Sequence, residues 1–259
     1  MVDMHCHILP GIDDGAESME ESLEMLSIAA NNGVTAIVAT PHFYFDDMDS
    51  AEFLAKRRVL TEELRERGKS IENCPDIIEG VEVAAIYEMI GRTDLRSLCI
   101  GGTNHMLLEL PFQEYPHWIN ELIYSLELSG ITPIIAHPER NRQIRISPEL
   151  LYGLVCGGVP AQLNINDMGD VPDRNTMMFF KTLIENHLVH FFGTDAHGSE
   201  WRTPAYGKFI AELKAAVDVN LVDMCVQNGE KLITEGSFFP KFEPRVPNKK
   251  RRRFFFGKS

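Results

Sequence analysis

Short apolar segments rich in β-branched residues alternate with longer amphipathic segments along most of this 259-residue chain. The alternation predicts parallel strands connected by helices. The predicted strands are residues 2–4, 36–39, 77–83, 106–110, 133–136, 161–165 and 189–192. The predicted helices are residues 18–32, 50–69, 117–129, 148–156, 173–187 and 206–216. Seven such units favour one closed or nearly closed α/β barrel, and an open doubly wound sheet is the alternative.

The pattern continues to about residue 240 without a Gly/Ser-rich linker. We therefore expect a single domain over residues 1–240 and a flexible tail over residues 241–259. The last 15 residues contain seven basic and no acidic side chains. A disordered tail is the favoured interpretation, and contact of the basic and aromatic residues 249–256 with an anionic membrane surface is the alternative.

Charge, cysteine content and hydropathy exclude several classes of protein. The remaining 244 residues contain 18 basic and 38 acidic side chains, a net charge of −20, which disfavours nucleic-acid binding. The five cysteines are scattered and form no C-x-x-C pair, so neither disulfides nor a thiolate zinc site is expected. With no 18-residue apolar run and no signal-peptide pattern, we expect a cytoplasmic protein.

Histidines and carboxylates cluster where the predicted strands end. In a parallel α/β barrel these ends share one face, so residues distant in sequence converge there. Imidazole and carboxylate donors without thiolates suit manganese, iron or zinc, and do not resemble a structural zinc site. The candidate ligands are His5, His7, Asp14, His42, Glu82, Glu109, His137, Asp195 and His197, with Asp13 as the alternative to Asp14.

This set of donors exceeds what one ion binds, so two or three ions are expected, with Glu82 as a bridging ligand. Clustered cations lower the pKa of bound water and polarise phosphoryl oxygens. Arg140 and Arg202 follow His137 and His197 closely, and arginine binds phosphate bidentately. The combination predicts phosphate-ester hydrolysis, although each arginine taken alone is also compatible with an ordinary surface position.

Other catalytic arrangements have no support in the sequence. No cysteine is followed by arginine at the C-x5-R spacing of a cysteine phosphatase, and no G-x-S-x-G motif is present. The remaining histidines are expected to be structural. His105 and His190 lie where predicted strands begin, and His117 and His187 lie at helix ends.

Seven short motifs occur in a fixed order: HCH, DDG, TPH, GVE, LLELPF, AHPERN and TDAH. This order resembles the PHP family (polymerase and histidinol phosphatase). Within that family the chain is most similar to the bacterial manganese-dependent protein tyrosine phosphatases of capsule and exopolysaccharide loci. The resemblance extends from residue 1 to about residue 235.

The resemblance implies a distorted (β/α)7 barrel with three metal ions, manganese being expected ahead of iron, zinc or cobalt. It implies one site of His5, His7, Glu82 and Asp195, a second completed by Glu109 and His137, and a third of Asp14, His42 and His197. Arg140 and Arg202 would bind the phosphate while a metal-bound hydroxide attacks phosphorus. The implied substrate is a tyrosine-phosphorylated protein, and the implied partner is a bacterial tyrosine kinase.

Two alternatives remain at this point. A small-molecule phosphatase, such as histidinol phosphatase, would use the same metal chemistry, so the ligands do not discriminate against it. A non-catalytic regulatory module is the third hypothesis, supported only by the acidic body and the basic tail. The sequence identifies neither a general acid nor the oligomeric state.

Overall fold

The computed structural model describes residues 1–168, 173–238 and 240–247, and within these ranges nine strands pair in parallel. The strands are β1 (Val2–Cys6), β2 (Ala36–Ala39), β3 (His42–Phe43), β4 (Asp76–Glu79), β5 (Glu82–Ala84), β6 (His105–Glu109), β7 (Thr132–Ala136), β8 (Ala161–Asn164) and β9 (Phe191–Gly193). They form one sheet of order β1-β2-β4 and one of order β3-β5-β6-β7-β8-β9. The strand order follows the chain without the reversal that a doubly wound sheet requires.

Two segments of the chain contribute a strand to each sheet and thereby join the two sheets. Strands β2 and β3 are separated by two residues, and so are β4 and β5. The prediction of one unbroken strand over residues 77–83 is therefore wrong at Gly80 and Val81. A Cβ on Gly80 would lie 2.7 Å from Cγ1 of Val38 on β2. The side chain of Val38 therefore leaves no room for a residue larger than glycine at position 80.

The sheet curls until its first and last strands approach each other. The amide of Asp195 donates to the carbonyl of His5 (2.6 Å), and the amide of His7 donates to the carbonyl of Ala196 (2.9 Å). The molecule is thus a mixed α/β fold around a curled parallel sheet. The carboxyl ends of β1 and β9 (Cys6 and Gly193) lie side by side, although they are 187 positions apart in the chain.

Helices connect most of the strands. They are α1 (Met19–Asn31), α2 (Ser50–Gly68), α3 (Ile119–Leu128), α4 (Arg142–Ile146), α5 (Glu149–Cys156), α6 (Arg174–Glu185), α7 (Tyr206–Ala216) and α8 (Val219–Glu235). All six predicted helices are confirmed to within two residues at each end. Ser18 caps α1 by accepting from the amide of Glu21. Helices α4 and α8 were not predicted.

Helix α8 packs on the sheet through a glycine, Gly229. Gly229 lies in its middle, and a Cβ there would be 3.3 Å from Cγ of Met4, so glycine lets the helix approach β1 closely. No helix within the described ranges is long and apolar enough to cross a membrane. The predicted domain boundary at residue 240 stays a prediction, and the basic segment 249–256 lies outside the described residues.

Candidate metal centre

The curled sheet brings the predicted ligands to one face. His5 lies on β1 and His7 directly follows it, and both rings are fully buried. Asp195 and His197 follow β9, which lies beside β1. Glu82 opens β5, because the break at Gly80 and Val81 restarts the strand at this position.

Four of these donors form a buried group. The ligand atoms of His5, His7, Glu82 and Asp195 all lie within 4.8 Å of one another. The Nε2 of His5 is 3.1 Å from Oε2 of Glu82, and the Nε2 of His7 is 3.0 Å from Oδ1 of Asp195. Two imidazoles and two carboxylates at this spacing fit a divalent cation.

Glu82 carries the clearest sign of a missing partner. Its Oε2 lies 3.0 Å from Nδ1 of His42, yet both atoms are buried and neither has a hydrogen bond within the described part of the chain. A buried polar atom without a hydrogen bond is costly and calls for an explanation. Cations bound by the carboxylate and by the imidazole would satisfy such side chains, so the residues present fit metal ions.

A second group lies towards solvent and contains Asp14. Its Oδ1 is 3.6 Å from Nε2 of His42 and 3.5 Å from Nε2 of His197. These three donors, together with His7, have ligand atoms within 4.8 Å of one another. The Asp14 side chain is 72% exposed, so it closes the centre on its solvent side.

Asp13 has a different role from Asp14. Its carboxylate lies 2.7 Å from Nδ1 of His7 and accepts from the amides of His42 (2.9 Å) and Gly15 (3.0 Å). Because Nδ1 of His7 is engaged in this way, only its Nε2 is available to an ion. His7 therefore serves one ion only, and the geometry assigns its Nε2 to the buried group.

Glu109 and His137 lie on the other side of Glu82. The Nε2 of His137 is 2.7 Å from Oε1 of Glu82 and 3.6 Å from Oε1 of Glu109. Ligand atoms of His42, Glu82 and Glu109 form a third group within 4.8 Å. The two oxygens of Glu82 thus face different neighbours, as a bridging carboxylate would.

The electrostatics favour ionised carboxylates in the buried group and attract positive charge to it, which a bound cation would supply while the imidazoles ligate it in their neutral form. Burial alone would raise the pKa of Glu82, but His5 and His137 hold it well below its ordinary value. Burial would likewise raise the pKa of Asp195, but His5, His7 and Arg140 lower it. The same carboxylates raise the pKa of His5 and His7 despite the opposing effect of burial. The buried carboxylates therefore create a strongly negative environment that favours a cation at this position.

Both predicted arginines converge on Asp195. Arg140 places Nη1 2.5 Å from Oδ2 of Asp195, and Nη2 of Arg202 also donates to that oxygen. Asp167, which the sequence did not identify, fixes Arg140 through two hydrogen bonds, from Nε (2.8 Å) and Nη2 (2.7 Å). The guanidinium groups are therefore held beside the ligands, where an anion bound to the cations would meet them.

Sequence reasoning also missed Gln162 on β8. Its Oε1 lies 3.0 Å from Nδ1 of His5, so the amide oxygen accepts from that nitrogen and leaves Nε2 for an ion. Gln162 is fully buried in β8, whose sequence is AQLN. The sequence showed only that a polar residue lies within a predicted strand, which did not indicate its contact with His5.

The backbone is strained at three of these positions. Among the described residues, five non-glycine residues have positive φ, and they include His137 (28°), Asp195 (50°) and Arg202 (48°). Such conformations cost about 1–3 kcal/mol each and persist where the surroundings impose them, often at functional sites. The other two are Asn73 and His187, outside the centre.

Comparisons with known proteins point the same way. A family model for capsular polysaccharide synthesis proteins of the CpsB/CapC type matches residues 1–234. The chain is 33% identical to the tyrosine-protein phosphatase YwqE of Bacillus subtilis, covering 99% of this chain and 100% of the relative. It is 31% identical to the putative tyrosine-protein phosphatase CapC of Staphylococcus aureus, covering 90% and 91%.

Solved structures extend the similarity to the fold. A structure of YwqE from Bacillus subtilis, described with CpsB of Streptococcus pneumoniae as unique metal-dependent tyrosine phosphatases, matches with a TM-score of 0.86 and 31% identity. The match covers 96% of this chain and 100% of that one. A β-aspartyl dipeptidase from Fervidobacterium islandicum shares only the fold, with a TM-score of 0.58 and 14% identity over 93% of this chain and 74% of that one.

Proposed function

The chain belongs to the CpsB/CapC family of capsular polysaccharide synthesis proteins, and on that premise we propose that it is a metal-dependent protein tyrosine phosphatase. The observation that carries the proposal is the buried oxygen of Glu82, which lies among three histidine nitrogens without a hydrogen bond, close to two arginines. Neither a purely structural cluster nor a small-molecule binding pocket requires this combination.

We infer three ion sites from the donor groups. The first has His5, His7, Glu82 and Asp195, the second has Glu82, Glu109 and His137, and the third has Asp14, His42 and His197. Manganese is the ion we propose, because the chain resembles manganese-dependent phosphatases, and the imidazole and carboxylate donors without thiolates are compatible with it. Ions held there would lower the pKa of a bound water and neutralise charge on the phosphoryl oxygens.

The residues of the chain orient the substrate for an in-line displacement at phosphorus. Arg140 and Arg202 bind the non-bridging phosphoryl oxygens and oppose the charge that builds up on them. Asp167 holds the guanidinium of Arg140 in one plane, so the arginine loses little freedom when the phosphate arrives. The oxygen of a water molecule forms the new bond to phosphorus as the bond from phosphorus to the tyrosine oxygen breaks. A proton from that water reaches the tyrosine oxygen, so the products are tyrosine and inorganic phosphate.

The finer description of the fold also belongs to this proposal. Counting β2 with β3 and β4 with β5 as interrupted strands gives seven strands, six of which are followed by an α-helix, and this supports a distorted (β/α)7 barrel of the PHP type. The hydrogen bonds between the segments following β1 and β9 support closure. We further propose a cytoplasmic enzyme that opposes a bacterial tyrosine kinase in capsule or exopolysaccharide synthesis.

A substrate panel tests the function. Purified protein, stripped of metal and then supplied with manganese, iron, zinc or cobalt, should hydrolyse a phosphotyrosine peptide and lose turnover when a chelator is added. Histidinol phosphate and a phosphoserine peptide of the same sequence are the comparison substrates. A strong preference for histidinol phosphate would replace our proposal with a small-molecule phosphatase, and no turnover with any metal would contradict both.

A further inference from the structure

Two aromatic side chains pack against histidines of the metal centre without contributing a ligand. Tyr44 is 42% exposed and Phe112 is 45% exposed, although each lies against a histidine of the centre. Single exposed aromatic side chains are common on protein surfaces, but aromatic side chains that flank a reactive site offer apolar contact surface to a ligand bound there. Their positions suggest contact with part of the substrate.

Tyr44 forms a wall of a cavity that opens beside Asp14 and His42 of the metal centre. Its ring centroid is 5.5 Å from that of His42, and the cavity has a volume of about 360 Å³. Asp14 and His42 line the cavity on the side of the metal centre, and Ile12 and Met48 give it apolar surface. A group attached to a phosphate at the centre would find both room and apolar contacts here.

Phe112 lies on the other side of Glu82. Its ring stacks on His137 with a centroid distance of 5.8 Å and an interplanar angle of 30°. His137 contacts Oε1 of Glu82, whereas His42, next to Tyr44, lies closest to Oε2. The two aromatic rings are thus associated with different oxygens of the carboxylate that we propose as the bridge.

The loop that carries Phe112 is held in place from the site itself. Nδ2 of Asn141 donates to the carbonyls of Pro111 (2.7 Å) and Glu114 (2.8 Å). The amide of Arg142 donates to the carbonyl of Phe112 (2.7 Å). Asn141 directly follows the phosphate-binding Arg140, so these bonds fix the exposed ring relative to the arginine. A ring held in this way contacts a ligand without a further loss of loop entropy.

We propose that Tyr44 and Phe112 receive the aryl ring of the substrate and make the site selective for aryl over alkyl phosphate monoesters. This inference rests on the proposed phosphatase function. The phosphoryl group is drawn to the ions and the arginines, so the ring attached to it lies at the rim, where the two aromatic side chains are. An alkyl phosphate such as phosphoserine reaches the same ions but leaves both aromatic faces in water.

Inhibition by two phosphonates tests the role of the rings, since the carbon–phosphorus bond is not hydrolysed. Phenylphosphonate should inhibit the manganese-loaded wild-type enzyme more strongly than methylphosphonate. Tyr44→Ala and Phe112→Ala should each reduce this preference by roughly 3- to 10-fold, the scale of one aromatic pair. Inhibition by methylphosphonate should not change, because the ions and arginines are intact.

Three further variants act as controls. Tyr44→Phe and Phe112→Tyr keep a ring at each position and should keep the preference for phenylphosphonate. Tyr124→Ala removes a tyrosine that is 62% exposed on α3, outside the metal centre, and should leave the preference at the wild-type value.

Two outcomes would overturn the inference. One is an unchanged phenyl preference in both alanine variants, and the other is an equal loss of binding for the two phosphonates, which would indicate a merely structural role. Failure of the proposed function would be recognised by a different result, because the wild-type protein would then not hydrolyse a phosphotyrosine peptide at all.

Discussion

Buried histidines at the two ends of the curled sheet behave in opposite ways. At the carboxyl ends, His5 and His7 lie among carboxylates, which raise their pKa even though burial opposes the charge. At the amino ends, His105 opens β6 and His190 precedes β9, and burial lowers the pKa of each to about 4. The same side chain thus lies in an environment that attracts positive charge at one end and in an environment that keeps it neutral at the other.

The difference lies in the neighbours. The ring of Phe238 packs against His105 and His190 at 6.1 and 5.9 Å. Nδ1 of His190 accepts from the amide of Ala161 (3.2 Å), which a neutral ring permits. Burial alone therefore produces an uncharged histidine, and burial beside carboxylates produces a cation-binding cluster. The comparison separates ligands from structural histidines more clearly than burial does.

The largest effect is expected from removing the charge at the centre of the cluster. Glu82→Gln keeps the volume but removes the charge that three histidines face, so kcat/KM for a phosphotyrosine peptide should fall by roughly 100- to 1,000-fold or more. Steady-state kinetics with saturating manganese measures it. The matched control is Glu79→Gln, at the end of β4, where the carboxylate pairs with Arg57 at 2.8 Å. Equal losses in both variants would contradict a special role for Glu82.

Arg140→Lys should have the next largest effect. Lysine keeps the charge but loses the planar fork that Asp167 holds and that binds two phosphoryl oxygens. We expect kcat/KM to fall by roughly 10- to 100-fold. Arg58→Lys, in an exposed pair with Glu62, is the control and should be silent. Wild-type kinetics in Arg140→Lys would show that the arginine does not bind the phosphate.

Gln162→Leu should weaken metal binding and leave the charges of the ligands in place. Without its amide oxygen, Nδ1 of His5 loses its acceptor, and the ring is no longer fixed with Nε2 towards the ion. Metal affinity should fall by roughly tenfold, as for other lost outer-shell partners. Isothermal titration calorimetry of the metal-free protein with manganese measures this affinity. An unchanged affinity would show that the strand alone fixes His5.

His105→Leu tests the neutral end of the sheet and should not alter turnover. Since the pKa of His105 is about 4 in the folded protein and about 6.5 when unperturbed, the unfolded chain binds the proton first as the pH falls. The free energy of unfolding is therefore not reduced by His105 above about pH 6.5. As the pH falls from 6.5 to about 4, it decreases because the folded protein keeps His105 neutral. Between pH 7 and 5 the wild type should lose about 1–2 kcal/mol more than the variant, as urea unfolding would show.

Much of the fold was predictable because the relevant signals are local. The alternation of apolar and amphipathic segments indicated the parallel sheet, and Ser18 and Gly33 marked the ends of α1. The histidine and carboxylate positions at strand ends were visible for the same reason. The structure places all nine predicted donors at one face, within groups or directly beside them.

The features that were missed depend on contacts between distant segments. The break in the strand at Gly80 arises from the approach of Val38, and α8 contains Gly229 because of Met4 on β1. Asp167 and Gln162 act on Arg140 and His5, 27 and 157 residues away in the chain. No local pattern reports such contacts, so the supporting residues of the site emerged only from the folded arrangement.

The central claim is that the charged end of the sheet holds cations that the reaction requires. Its most direct test counts the manganese ions bound per chain, by elemental analysis, while turnover of a phosphotyrosine peptide is followed as metal-free protein is reconstituted. We expect two or three ions per chain and turnover that rises only as they bind. Full turnover by a chain without bound ions, or no binding of ions at all, would contradict the claim.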